Sequence, residues 1–173
     1  MTRRHVILVG LPGSGKTTVG RLAAAALGAP FVDLDDAIQD RAGKSVERLF
    51  AEDGERAFRA LEAELGLATF LGTPSVVAPG GGFFVGEVTR TMARGSGLVV
   101  YLETRAAEAA ARLGGVAGRP LLEGGPVGAR IAALLAERAP LYRQSECTVV
   151  TDGRTAADVA AAVVLLARDR AGW

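Results

Sequence analysis

Gly10-Leu11-Pro12-Gly13-Ser14-Gly15-Lys16-Thr17 matches the pattern G-x-x-x-x-G-K-[ST] at every position. Phosphate oxygens need many hydrogen-bond donors close together. Glycines let the backbone curl so that consecutive N–H groups point inward. A helix that starts where the loop ends aims the positive end of its dipole at the same point. Lys16 is placed to reach β- and γ-phosphates as a point charge, and the Thr17 hydroxyl can ligate Mg²⁺. A plain glycine turn between strand and helix has no need of Lys and Thr at these places. The stretch therefore points to a nucleoside triphosphate, without naming the acceptor.

The flanks meet the context that this loop requires. His5 to Val9 is a short apolar, β-branched run, read as a buried strand, and Thr17 to Leu27 has helical spacing, with Val19, Leu22, Ala23, Ala26 and Leu27 on one face and Gly28 as its stop. Further strands are expected at Phe31 to Leu34, Ser75 to Ala78, Leu98 to Leu102 and Cys147 to Val150. Helices are expected between them: over about 37–71 with breaks near Gly43 and Gly54, over Gly86 to Arg94, in the Ala-rich run to Leu113, and from Val127 to about Tyr142. Thr155 opens a last helix, with Asp158 completing a capping box. Short strands alternating with helices predict an α/β fold with a parallel sheet.

The chain has 173 residues, 49% hydrophobic and 23% charged, which suits one folded domain over 1–173 and argues against disorder. No apolar run approaches a membrane span, and the run at Val6 to Val9 is too short for a secretory signal, so the expected location is the cytoplasm. A net charge of +1 makes no case for nucleic acid or a membrane surface. One Cys, Cys147, and one His, His5, exclude a disulfide framework and a Cys- or His-based metal site.

A kinase, a hydrolytic switch and a motor all use such a loop. A guanine-reading N-K-x-D is absent, and a motor needs a larger machine. Candidates for an acceptor pocket are present. Asp33-Leu34-Asp35 lies at the carboxyl end of the second expected strand, where ligands bind in open parallel sheets. Alternation there would put both carboxylates on one side, one able to orient Mg²⁺ through water and the other to take or orient a hydroxyl proton. The same residues also suit a solvated helix start. Arg59 sits beside the apolar stripe Phe58, Leu61, Leu65, where Glu55 and Glu62 could simply pair with it. Arg138 continues the stripe Ile131, Leu134, Leu135, and a guanidinium on such a face needs a carboxylate or a phosphate. Gly80-Gly81-Gly82 after the third strand would let a ligand approach the backbone closely. Gly114 to Gly125, a stretch of five glycines containing Arg119, has the composition of a closing lid that excludes water and brings positive charge to the phosphoryl group.

Taken in order, 10–18, Asp33-Leu34-Asp35, Gly-Glu-Arg-Ala-Phe-Arg at 54–59, Gly80-Gly81-Gly82, Gly-Arg-Pro-Leu-Leu at 118–122 and Arg-Ala-Pro-Leu-Tyr at 138–142 make the chain resemble shikimate kinases over essentially its whole length. The resemblance implies a three-layer P-loop kinase fold of the nucleoside monophosphate kinase type: a five-stranded parallel sheet of order 2-3-1-4-5, helices on both faces and a mobile lid at about 114–125. It implies transfer of the γ-phosphoryl group of ATP to the 3-hydroxyl of shikimate, with Mg²⁺, in aromatic amino acid synthesis, by a protein that acts as a monomer. Gly13, Ser14, Gly15, Lys16, Thr17 and Thr18 would hold the ATP phosphates, and Thr17 with Asp33 the metal. Asp35 would bind the shikimate hydroxyls and act as the base. The acceptor-binding region would span about 35–62. Arg59 and Arg138 would clamp the shikimate carboxylate, with Gly80, Gly81 and Gly82 at the ring substituents. Arg119 would cover the phosphates. Arg112, Pro120 and Arg154 would lie on the adenine side. Pro79 and Ala78 depart from the residues common in relatives. The rivals are another small-molecule P-loop kinase, of the gluconate or cyclitol type, which would lack the arginine pair, and a nucleotide-dependent binding module without activity.

Overall fold

His5–Val9 (β1) is buried at every position, and this decides the layering of the computed structural model, which describes residues 2–114 and 126–173. A strand whose side chains alternate faces yet are all buried must be covered on both sides. Val6 and Leu8 pack with Val19, Ala23, Val163 and Ala167 on one face. Ile7 and Val9 pack with Phe83, Tyr101, Ile131 and Tyr142 on the other.

The elements follow the chain as β1, Lys16–Leu27 (α1), Phe31–Asp33 (β2), Leu34–Ala42 (α2), Val46–Phe70 (α3), Val76–Ala78 (β3), Glu87–Ser96 (α4), Gly97–Glu103 (β4), Ala106–Leu113 (α5), Val127–Tyr142 (α6), Cys147–Val150 (β5) and Ala156–Arg170 (α7). All strand pairs are parallel and the sheet order is β2-β3-β1-β4-β5. The five-stranded sheet and its order agree with the expectation. The carboxyl ends of the strands therefore open on one edge, where the loops after β1, β2 and β3 meet.

Local chemistry explains the boundaries. Gly28 and Gly43 end α1 and α2 in the left-handed region. The break foreseen near Gly54 is a kink within α3, where φ is 83° and ψ 168°. Beneath α2 and α3, Ile38, Leu49 and Phe58 form a small separate core. Thr155 caps α7: its Oγ1 accepts from the Asp158 amide at 3.1 Å and donates to Asp158 Oδ2 at 2.6 Å. Among the described residues, no helix is long and apolar enough to cross a membrane.

His5 is a structural residue. It is 3% exposed, its Nδ1 accepts from the Ser75 amide at 3.1 Å, and its Nε2 faces the Phe70 carbonyl at 3.3 Å, which favours the neutral ring with the proton on Nε2. Burial pushes its pKa below the usual 6.5, against the smaller opposing effect of the bonds to Phe70 and Ser75. The unfolded chain then binds a proton first as pH falls through 6.5, so stability drops below that point until the folded ring also titrates. Urea unfolding at pH 7.5 and 5.5 checks this. The protein is expected to lose more stability over that interval than His5→Asn does, by no more than about 1.4 kcal/mol per pH unit for one proton. Equal losses would remove His5 as the cause.

Candidate active site

The loop between β1 and α1 is shaped by its glycines and stays open to a ligand. Gly13 has φ 82°, and a Cβ there would lie 2.5 Å from the Ala109 carbonyl oxygen, so this turn admits only glycine. Gly15 is the N-cap of α1, and among the described residues no side chain caps the first turn. The amides that begin α1 are thus left for an anion. Lys16 Nζ donates to the Gly10 and Leu11 carbonyls at 3.0 and 2.9 Å, which holds the ammonium over the loop.

Thr17 Oγ1 donates to Asp33 Oδ2 at 2.6 Å. Asp33 Oδ1 accepts from the Asp35 amide at 3.0 Å and so caps α2. The strand stops at Asp33, and Asp35 belongs to the first turn of α2 rather than to an alternating extended run. The cause is the capping bond, which ends the strand one residue earlier than expected and starts the helix at Leu34 rather than near 37. Both carboxylates still reach the same cleft of about 520 Å³. Its lining also includes Gly13, Ser14, Gly15, Lys16, Thr17, Thr18, Gly80, Gly81, Arg112 and Arg154.

One end of the cleft is fixed by α5 and the loop after β5. Arg112 donates to Thr151 Oγ1 at 3.0 Å, to the Thr151 carbonyl at 3.1 Å and to Glu108 at 3.0 Å. Arg154 donates to the Val150 and Asp158 carbonyls at 3.2 and 2.8 Å. These bonds fix both guanidinium groups at the wall of the cleft.

The other end centres on the glycine turn after β3. A Cβ on Gly80 would lie 2.9 Å from Asp35 Oδ1 and 3.0 Å from Glu62 Oε1, one on Gly81 3.1 Å from Pro12 Cδ, and one on Gly82 2.5 Å from Arg59 Nη2. The turn therefore touches the phosphate loop, Asp35 and Arg59 at successive residues, and only glycines allow that closeness. Gly82, Arg59 and Arg138 lie outside the lining of the main cleft; the turn connects them to it.

Arg59 pairs with Glu62 at 2.6 Å and with Glu55 at 3.3 Å, so the simple pairing weighed for it is real. Burial alone would lower its pKa, but these carboxylates outweigh burial and raise it. Glu62 is the residue that sequence reasoning undervalued. Its side chain is 2% exposed, and burial pushes its carboxyl above the usual range despite Arg59 and Arg138 nearby. The signal was available: the buried row of α3 is Phe58, Glu62, Gly66 and Phe70, spaced by four, and a carboxylate stands on it.

Arg138 is buried, 6% exposed, on the face of α6 that carries Ile131, as its spacing indicated. Its Nε and Nη1 are buried and have no hydrogen-bond partner among the described residues. Buried donors left in this condition are costly and uncommon. Arg119, Pro120 and the expected lid at 114–125 lie, apart from Gly114, outside the described residues.

The family model for shikimate kinase matches residues 12–167. A shikimate kinase of Thermobifida fusca (strain YX) is 48% identical over 160 residues, covering 92% of both chains. The chain belongs to the shikimate kinase family. Members of this family are phosphotransferases that use ATP as co-substrate. The structure of an Acinetobacter baumannii shikimate kinase in complex with shikimate superposes with a TM-score of 0.93 at 33% identity, covering 98% of this chain and 96% of that one. A gluconokinase of Sinorhizobium meliloti, at 19% identity and TM-score 0.61 over 98% of this chain and 94% of that one, shares the fold alone. Kinases of different acceptors thus use this fold, and the choice among them falls to the acceptor end of the cleft.

Proposed function

We propose that this chain transfers the γ-phosphoryl group of ATP to the 3-hydroxyl of shikimate, giving 3-phosphoshikimate and ADP, in aromatic amino acid biosynthesis. The observation that carries the choice of acceptor is the buried Arg138, whose Nε and Nη1 have no hydrogen-bond partner among the described residues and whose helix is joined to the glycine turn by the bond from Tyr142 to the Gly81 carbonyl. A small polyol bearing a carboxylate satisfies both kinds of group. The arginines meet its carboxylate and Asp35 its hydroxyls. A neutral acceptor would leave the Nε and Nη1 donors of Arg138 unsatisfied.

In this reading the phosphate tail rests on the amides of Gly13 to Thr18, with Lys16 on the transferring group. Thr17 and Asp33 offer a hydroxyl and a carboxylate side by side, the hard oxygen donors that suit Mg²⁺. Among the described residues no cluster of three or more His, Cys, Asp or Glu could hold a metal. Bound there, Mg²⁺ would offset phosphate charge. Asp35 accepts the proton of the attacking hydroxyl, or orients it, as the new O–P bond forms and ADP leaves. Arg59 and Arg138 hold the carboxylate so that the hydroxyl stands in line. Arg112 and Arg154 flank the adenine, with Pro120 beside them, and Arg119 closes over the phosphates from a lid at 114–125. The whole of 1–173 acts as one domain, a monomer in the cytoplasm, with an acceptor region over about 35–62. Its partners are two small molecules, not nucleic acid or a membrane.

The test is a panel of acceptors with Mg²⁺ATP and coupled detection of ADP. Turnover is expected with shikimate and at background with gluconate and a neutral cyclitol. Equal or better turnover with either of those overturns the assignment.

A further inference from the structure

Tyr142 is fully buried, and its hydroxyl donates to the Gly81 carbonyl at 2.5 Å, joining α6 to the middle of the glycine turn. Its ring stacks on Tyr101 of β4, centroids 5.3 Å apart and planes at 29°. Arg138 stands four residues earlier on the same helix, so both side chains lie on one face. The two are electrostatically linked: burial raises the Tyr142 pKa to about 12, against the opposing pull of the Arg138 guanidinium. The turn itself is only partly secured by its own backbone. Phe83 and Val85 donate back to the Gly80 and Gly82 carbonyls, while the Gly81 and Gly82 amides donate to no carbonyl among the described residues.

We infer that Tyr142 is a positioning residue for the acceptor: through its bond to the Gly81 carbonyl it holds the glycine turn at a set distance from Arg138, so that turn amides and guanidinium converge on one carboxylate. This rests on the acceptor reading above. The physical reason is the shape of the turn. Three successive glycines carry no side chains to lock them, and the peptide whose carbonyl Tyr142 grips is the one whose opposite end presents the Gly82 amide. Rotation of that peptide would turn the amide away from the ligand. The stack on Tyr101 fixes the ring, which leaves the hydroxyl little freedom to follow a displaced turn.

The test compares the protein with Tyr142→Phe, which keeps the stack and removes the donor. The KM for shikimate is expected to rise about tenfold, the size of one lost buried hydrogen bond, with kcat and the KM for ATP within about twofold. Replacing Tyr142 with 4-aminophenylalanine, which restores a donor at the same place, is expected to bring the KM back. An unchanged shikimate KM in Tyr142→Phe overturns the proposal, as does an equal rise in both KM values, the mark of general loosening. Should the Phe variant fail to fold, the 4-amino variant decides alone: a KM near that of the unaltered protein supports the role, and a KM raised tenfold with a normal ATP KM removes it. Absence of shikimate turnover in the unaltered protein defeats the acceptor reading, and this inference with it. Turnover that is insensitive to the Tyr142 hydroxyl defeats this inference alone.

Discussion

Lys16→Ala is expected to lower kcat by about 10²–10³-fold, the usual effect of removing one preorganised donor from a developing negative charge. Lys16 is one of two lysines in a chain with 18 arginines, and its ammonium is already held over the loop by the Gly10 and Leu11 carbonyls. Those bonds set its position before any substrate arrives, so little reorganisation accompanies the transfer. Its charge matters most when the phosphoryl group is between donor and acceptor, because charge then spreads over the equatorial oxygens. The KM for ATP is expected to change much less than kcat, since the backbone amides of the loop remain to hold the β-phosphate. Steady-state kinetics with shikimate and Mg²⁺ATP separates the two parameters. A kcat within about twofold of the unaltered value removes Lys16 from the transfer step.

Arg138→Ala is expected to weaken shikimate far more than ATP. Loss of one partner from a buried charge-assisted contact costs about 2–5 kcal/mol, roughly 30-fold to a few thousandfold in shikimate KM. Two features place the effect on the acceptor alone. Arg138 lies on α6 and outside the lining of the cleft that holds the phosphate loop, and it takes no part in the bonds that hold Arg112 and Arg154. Its positive charge also offsets the buried carboxylate of Glu62. Removing it raises the Glu62 pKa further, which weakens the Glu62 hold on Arg59, so the second arm of the clamp loosens with the first. For that reason the double variant Arg59→Ala/Arg138→Ala is expected to lose less than the two single losses added together. An ATP KM that rises in step with the shikimate KM would falsify the clamp.

Much of this site was legible before any fold was known. The phosphate loop is contiguous, and its chemistry depends on backbone curvature and on residues adjacent in the chain. Asp33 and Asp35 were read at the end of a strand and are indeed at the cleft, although the capping bond at Asp33 puts them on a helix start. Arg138 was legible from spacing alone, as a charge on an apolar helical row. Glu62 was harder to read, because Arg59 three residues away offered a sufficient surface explanation. Only burial separates a screened pair from a carboxylate pushed above its usual range.

The order of apolar and polar residues along the chain by itself determined the alternation of strands and helices, the phosphate loop and the family, since each is written in neighbours a few residues apart. Tertiary structure alone decided which of the glycines, arginines and carboxylates share one space. Gly82 against Arg59, Gly80 between Asp35 and Glu62, and the Tyr142 hydroxyl on the Gly81 carbonyl join positions 18 to 61 residues apart. Such contacts depend on α3 and α6 both reaching the loop after β3. No local pattern encodes that meeting; it follows from the packing of buried helix faces on one sheet.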